Sequence, residues 1–162
     1  MAMALLASPS WGYKQEDLDK LAARNTCQEC DLAGADLHLA YLREANLTKA
    51  NLAKANLEKA ILTKANLAGA DLRGTILGVA FLPLADLREA DLERVDLSHA
   101  SLRGASLRGA SLRGANLEKA DLRGTVLTGA VLRDAKIDFA DFTKAKFCNT
   151  VMPDGQRIFK DC

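Results

Sequence analysis

The fold is decided by a repeat that is clearest in residues 50–59, which read Ala-Asn-Leu-Ala-Lys-Ala-Asn-Leu-Glu-Lys. Leu stands at every fifth position from Leu32 to Leu132. Ile137, Phe142 and Phe147 continue the same spacing, which gives 24 uninterrupted repeats. The residue two positions before each of these is Ala in 20 repeats, and the residue between is Asp or Asn in 13. The last two residues of each unit are mostly polar or Gly.

A five-residue period fits neither an α-helix nor a plain β-strand. Successive leucines would rotate by about 140° around a helix, and in a strand, where side chains alternate, they would switch faces. The pattern is met if each repeat is a short extended piece followed by a corner, with Ala and Leu inward and Asp or Asn outward. Gly34 and Gly104 stand at the last position, where a corner favours positive φ. Four corners then close a square coil of about 20 residues.

Composition excludes several classes of protein. The chain has 162 residues, of which 49% are hydrophobic and 27% charged, with a net charge of +1. Such an apolar fraction excludes a disordered chain, and no run of about 18 apolar residues predicts a membrane-spanning helix. A net charge near zero argues against a strongly basic nucleic-acid binder and against a polyanionic mimic. We therefore expect no nucleic-acid partner and no membrane insertion.

The repeats resemble those of a known family. Ala50-Asn51-Leu52-Ala53-Lys54 and Ala70-Asp71-Leu72-Arg73-Gly74 are similar to the A(D/N)LXX motif of pentapeptide-repeat proteins, and the resemblance covers residues 30–149. It implies an all-β fold, a right-handed quadrilateral β-helix of about six coils and roughly 29 Å. We expect three parts: a tail and capping helix in 1–29, the β-helix in 30–149 and a C-terminal cap in 150–162.

Both ends of such a rod need caps, because a stacked coil exposes unpaired backbone and core there. Residues 15–24 predict a short α-helix, since apolar residues recur at i, i+3 and i+4. If this helix lies across the first coil, it would cover the core layer formed by the leucines in residues 32–47. At the other end, a turn at 153–155 would let Ile158 and Phe159 close the last coil.

All four cysteines lie near the predicted ends: Cys27 and Cys30, then Cys148 and Cys162. A disulfide needs Cα atoms within about 7 Å, so the alternatives are two local pairs or four reduced thiols. The segments around them resemble flanks of exported pentapeptide-repeat proteins of cyanobacteria and plastids. Disulfides would favour the periplasm or the thylakoid lumen, and reduced thiols the cytoplasm. The first ten residues lack a complete signal peptide, which leaves either the remainder of a removed leader or a loose tail.

We expect no catalytic residue, no cofactor and no metal, because a packed Ala/Leu interior leaves no cleft. His38 and His99 fall on outward turns about three coils apart. Cys27 and Cys30 have the spacing of a redox motif but lack its βαβ context, and zinc with His38 would lack a fourth ligand. The periodic carboxylates alternate with Asn in one position, which indicates hydrogen bonding within turns.

Some outward positions are apolar where polar residues are the rule. Residues 20 apart stack, and the set that we call the apolar strip consists of Tyr41, Ile61, Phe81, Leu39, Val79 and Leu84. If exposed, the apolar strip predicts a partner or dimer surface. The alternative is a cover supplied by the N-terminal segment through Leu5, Leu6, Trp11 and Tyr13.

Arginines cluster in the second half, at Arg103, Arg108, Arg113 and Arg123. Successive repeats occupy successive faces, so these arginines form a belt that is either a solvated wall or an anion-binding surface.

The leading functional expectation is a non-enzymatic structural or protein-interaction module, whose protein partner the sequence does not identify. The alternative is a DNA-mimic modulator of DNA gyrase or topoisomerase, known in another branch of the family. Such mimics are strongly acidic, and this chain is not.

Overall fold

The computed structural model describes residues 12–162. One helix and two short strands lie near the ends of this range: α1 (Gln15–Arg24), β1 (Thr150–Val151) and β2 (Arg157–Ile158). The two strands pair antiparallel. The helix ends at Asn25, which has left-handed φ and ψ and donates its backbone N–H to the carbonyl of Leu21.

The residues between α1 and β1 form a repeating coil. Each outward residue pairs in parallel with the residue 20 positions further on, from the pair Thr26 and Asn46 to the pair Val131 and Val151. Because the sequence repeat is five residues long, this interval places four repeats in each coil. The chain is therefore a solenoid in which each repeat supplies one side.

We name the four faces A to D after their outward residues. Face A carries residues 31, 51 and 71, face B 36, 56 and 76, face C 41, 61 and 81, and face D 46, 66 and 86, each series continuing at intervals of 20. A corner separates consecutive faces, so residues 39, 59 and 79 lie at the B–C corner and 44, 64 and 84 at the C–D corner. Because corners flank every outward residue, pairing stops after one residue, and this all-β sequence pattern yields only two continuous strands among residues 12–162.

Four backbone hydrogen bonds recur in every interior repeat, and one of them joins the N–H of Lys54 to the carbonyl of Arg73 one coil on at 2.9 Å. The N–H of Leu52 donates to the carbonyl of Asp71 one coil on (2.7 Å), and the N–H of Asp71 donates to Ala50 (3.0 Å). The N–H of Ala55 closes the corner on Leu52 at 3.0 Å. The last residue of every repeat has positive φ, whether it is Gly104 at 65° or Lys54 at 58°. The backbone of the corner thus imposes the left-handed conformation on non-glycine residues too.

The outward Asp and Asn side chains bind their own turns. The Asp86 carboxylate accepts the backbone N–H of Arg88 at 3.1 Å, and every Asp or Asn at this repeat position accepts the N–H two residues on. Local bonds of this kind favour turns. The inward Leu and Ala side chains of the interior coils are fully buried. The outward residues stabilise the turns and the inward residues form the core, which explains why the same residue types recur every five positions.

The caps cover the two ends unevenly. Helix α1 starts beside face A, where the Asp31 N–H donates to the Asp17 carboxylate at 2.8 Å, and it ends near the C–D corner, where Asn25 donates to the carbonyl of Arg43 at 2.8 Å. It therefore crosses the first coil diagonally. A groove of about 390 Å³ stays open on the other side, lined in part by Leu37 and Leu42.

At the C-terminal end, β1 and β2 lie over face A. The rings of Phe142 and Phe147 pack with centroids 5.8 Å apart and are half-buried. Ile158 is half-buried, but Phe159 is 61% exposed, so the expectation that Phe159 closes the last coil is wrong. The short β2 places Ile158 inward, and the next residue of an extended chain points the opposite way.

Candidate interaction surface

The apolar strip lies on face C and at its two corners and is exposed in the described structure. Tyr41, Ile61 and Phe81 form a column of parallel bridges on face C. Leu39 and Val79 flank this column at the B–C corner, and Leu84 stands at the C–D corner. The exposed fractions are 67% for Tyr41, 62% for Leu39, 57% for Leu84, 52% for Val79, 49% for Phe81 and 37% for Ile61.

Three members of the apolar strip occupy strained corners. Leu39, Val79 and Leu84 have φ of 60°, 58° and 59°, in the left-handed region. This region disfavours side chains with a Cβ by roughly 1–2 kcal/mol, and a β-branched residue such as Val is a rare occupant. One coil above Leu84, a Cβ added at Gly104 would lie 2.9 Å from the Leu84 side chain. Gly104 therefore leaves room for Leu84.

The structure adds residues that the sequence analysis missed. Ile76 is 44% exposed on face B, at the same coil level as Val79, Phe81 and Leu84. The available signal was residues 74–85, a stretch without a charged residue. Two further apolar residues are exposed near the C-terminal end: Phe139 and Phe159.

The half of face C nearer the C-terminus carries a ladder of opposite charges. Asp121 lies 3.9 Å from Arg103 and 2.6 Å from Arg123, and Arg123 lies 3.5 Å from Asp141. The hydrogen bond from the Arg123 guanidinium lowers the pKa of Asp121, while burial acts in the opposite direction. The hydrogen bond from Thr143 lowers the pKa of Asp141. Face C thus divides into an apolar half and a charged half in which these charges balance.

The arginines differ according to the residue two positions before them. Where that residue is Asp, the guanidinium turns back and its Nε donates to the carboxylate at 2.8 Å, as in Arg73, Arg88 and Arg123. Where it is Ser, the arginine has no such partner in its own turn: Arg103 reaches only Asp121 one coil on, at 3.9 Å, and no carboxylate in residues 12–162 lies within 4.0 Å of Arg108 or Arg113. The belt of Arg103, Arg108, Arg113 and Arg123 spans faces C, D and A. Its side chains therefore do not converge on one anion.

The cysteines are paired at the two ends. Cys27 is joined to Cys30 with Cα atoms 5.2 Å apart, and Cys148 to Cys162 with Cα atoms 4.9 Å apart. One ligand atom each of Asp17, Cys27 and Cys30 lie within 4.8 Å of one another. In the disulfide state neither sulfur of this group is a thiolate, the form that binds zinc.

The remaining residues singled out from the sequence do not converge. His38 and His99 are both exposed, at different coil levels. Tyr13 is half-buried and packs against the core at the N-terminal end. Leu5, Leu6 and Trp11, which belong to the alternative in which the N-terminal segment covers the apolar strip, lie outside the described residues. No helix in the described part of the chain has the length and apolar character needed to cross a membrane.

Comparison with known families rests on the repeats. The family described as pentapeptide repeats matches in eight copies, at residues 26–57, 40–78, 85–124 and 110–149. The chain belongs to the pentapeptide-repeat family.

Among the solved structures to which the chain is similar, three illustrate the range of identity. HetL, involved in heterocyst differentiation regulation in the cyanobacterium Nostoc, is 36% identical over 82% of this chain and 72% of its own, with a TM-score of 0.43. AT2G44920 from the Arabidopsis thaliana thylakoid lumen is 26% identical over 82% and 72%, with a TM-score of 0.33. The plasmid-mediated fluoroquinolone resistance protein QnrB1 is 20% identical over 76% and 80%, with a TM-score of 0.31. No curated protein sequence matches the chain.

Proposed function

We propose that this pentapeptide-repeat protein is a non-catalytic rod that binds protein through the apolar strip. In this proposal, residues 30–149 form a right-handed rod of about six coils, and residues 1–29 and 150–162 form its ends. The observation that carries the proposal is the half-exposed Val79 at a left-handed corner. An exposed apolar patch of this kind is typical of protein interaction sites.

Val79 supports binding rather than stability. Its φ of 58° is unfavourable for a β-branched residue, and 52% of the residue is exposed, so its burial offsets little of that strain. Glycine occupies the same repeat position elsewhere, as at Gly74 and Gly104, without strain. Strain held at an exposed position points to function.

The surface favours this proposal over the gyrase alternative and over catalysis. A DNA mimic needs unpaired negative charge, whereas Asp71, Asp86 and Asp121 each pair with an arginine two residues on. For catalysis, a nucleophile and a base must meet in a cleft. The two histidines of the chain are exposed and belong to different coils.

We also propose an oxidising compartment, either the periplasm or the thylakoid lumen, because both cysteine pairs are within bonding geometry. The intact mass of the native protein tests this placement. Reduction should add four hydrogens if both disulfides are present. Four thiols in the untreated protein would favour the cytoplasm instead.

The binding function can be tested with a variant that removes the strained side chain. We expect Val79→Gly to raise the free energy of unfolding by about 1 kcal/mol, because glycine adopts positive φ freely, while weakening partner binding. The matched control is Lys119→Gly, which relieves the same corner conformation (φ of 56°) two coils further along the B–C corner, away from the apolar strip. Affinity capture from the native organism compares the two variants with wild type.

Proteins retained by wild type and by Lys119→Gly but lost with Val79→Gly would support the proposal. Because Val79→Gly is expected to be the more stable chain, such a loss cannot be attributed to unfolding. An identical set of captured proteins for all three chains would overturn the proposal.

A further inference from the structure

Two of the three rows of the apolar strip have the same chemical pattern when they are read from either end; in the third row, at the C–D corner, the counterpart of Leu84 is Glu44. Its column on face C is Tyr41, Ile61 and Phe81, which is aromatic, aliphatic and aromatic. Its edge at the B–C corner is apolar, charged and apolar, because Lys59 separates Leu39 from Val79. Both series are centred on the coil level of Ile61. A surface that meets its own copy across a twofold axis must be self-complementary in this sense.

We propose that the partner bound by the apolar strip is a second copy of this chain, packed antiparallel about a twofold axis at Ile61. This inference rests on the proposed function and names its partner. In such a dimer, Tyr41 of each copy packs on Phe81 of the other, and Leu39 packs on Val79. Ile61 meets Ile61 of the second copy at the axis.

Most charges at the border of the apolar strip are paired within each copy. Lys59 lies 3.2 Å from Glu58, and Arg43 lies 3.7 Å from Glu44. The approach of two copies therefore brings these pairs together in a neutral form. At the C–D corner, Lys64 stands at the level of the axis and faces Lys64 of the other copy. This contact between like charges weakens the dimer, and added salt should screen it.

The exposed area is sufficient for a weak dimer. Six side chains that expose between 37% and 67% of their surface offer on the order of 500 Å² of apolar surface per copy. Two copies would then bury about 1,000 Å², near the lower limit for specific interfaces. We therefore expect dissociation in the micromolar range. The charged halves of the two C faces would project beyond the contact in opposite directions and give an elongated dimer.

Sedimentation velocity of the full chain between about 1 and 200 µM tests the dimer. The mass of wild type should rise from that of a monomer of 17.4 kDa to twice this value. Ile61→Asp should stay monomeric, since it places two like charges at the axis. Asp is the commonest kind of outward residue in the repeat, so this variant should keep the wild-type circular dichroism spectrum. Ser111→Asp introduces Asp at the same repeat position on face A, away from the apolar strip, and should dimerise like wild type.

A mixing experiment tests the antiparallel register. Tyr41→Asp and Phe81→Arg should each be monomeric alone. When they are mixed, the introduced carboxylate faces the introduced guanidinium at one contact, and native Phe81 meets native Tyr41 at the other. The mixture should therefore regain dimer. A parallel register would bring Tyr41 to Tyr41 and give no rescue, which would overturn the proposed arrangement.

Two outcomes would overturn the dimer itself. The first is a wild-type chain that stays monomeric at every concentration, and the second is an Ile61→Asp variant that associates as strongly as wild type. If the wild-type chain is monomeric while Val79→Gly still loses a captured protein, the dimer is wrong and the proposed binding function stands. If neither self-association nor capture depends on the apolar strip, both proposals fail.

Discussion

At the scale of single residues, Arg88 and Arg108 are a natural matched pair. They occupy the same repeat position on face D one coil apart, but the residue two before is Asp86 in one case and Ser106 in the other. The hydrogen bond from the Arg88 guanidinium lowers the pKa of Asp86, and partial burial opposes it. We expect Arg88→Gln to raise the pKa of Asp86 towards its ordinary value, and Arg108→Gln to leave it unchanged. Titration of the Asp86 carboxyl by NMR measures this pKa.

The interaction between Arg88 and Asp86 also determines how the stability of the fold depends on pH. A carboxyl whose pKa is lower in the folded state stabilises the fold above its unfolded pKa of about 3.9, and this stabilisation is lost as the pH falls through the folded pKa. Wild type should therefore exceed Arg88→Gln in free energy of unfolding at pH 6; the difference should begin to shrink below about pH 4 and vanish only once the pH is below the lowered pKa of the folded state. A difference that persists unchanged in acid would contradict the assignment to Asp86.

Sequence reasoning was informative for residues that break the repeat. Tyr41 and Phe81 stand out because a bulky apolar residue replaces Asp or Asn at an outward position, and both are exposed in the structure. Ile76 breaks the same rule but is not predicted, because its neighbours one coil away on face B, Asn56 and Asp96, are polar and no stacked apolar column marks it. The left-handed φ of Lys54 and Val79 was not anticipated, since glycine at other corners suggested that only glycine adopts it.

At the scale of elements, the α-helix at 15–24 was predicted from its apolar spacing, but its diagonal path was not. The path depends on tertiary hydrogen bonds of Asp17 and Asn25, which no local pattern reveals. A single helix is about 10 Å wide and presents one apolar stripe. It therefore leaves part of the square end uncovered, where Leu37 and Leu42 line the open groove.

The two disulfides should contribute unequally to their caps. Cys148 and Cys162 are 14 residues apart and Cys27 and Cys30 only 3, so the first pair constrains a longer loop in the unfolded chain. We expect replacement of Cys148 and Cys162 by Ser to lower stability by about 3 kcal/mol, and replacement of the other pair to lower it less. Since each coil contacts only its neighbours, amide hydrogen exchange should increase around β1 and not around residue 46. Increased exchange along the whole rod would contradict a local role for this cap.

At the scale of the whole molecule, the period of the sequence predicts the solenoid, because a strict five-residue repeat has few packing solutions. The sequence did not predict that the first coil is less completely covered on the side of faces B and C, and the last coil on the side of faces B, C and D. Leu37 and Leu42 at one end, and Ile137, Phe142 and Phe147 at the other, are not fully buried, and the apolar strip lies between them. This asymmetry depends on how each cap packs against the end of the rod. The repeats are nearly uniform in sequence and therefore do not determine it.

This architecture makes the effect of a core substitution depend on its position along the rod. Leu92→Ala in the fully enclosed middle should lower the free energy of unfolding by about 3 kcal/mol, because it leaves a closed cavity. Leu37→Ala, the same change at the same repeat position, opens into the existing groove at the N-terminal end and should lower it by about half as much. Urea unfolding followed by circular dichroism measures both. Equal losses would show that the groove is closed in solution and that the first coil is as well covered as the middle of the rod.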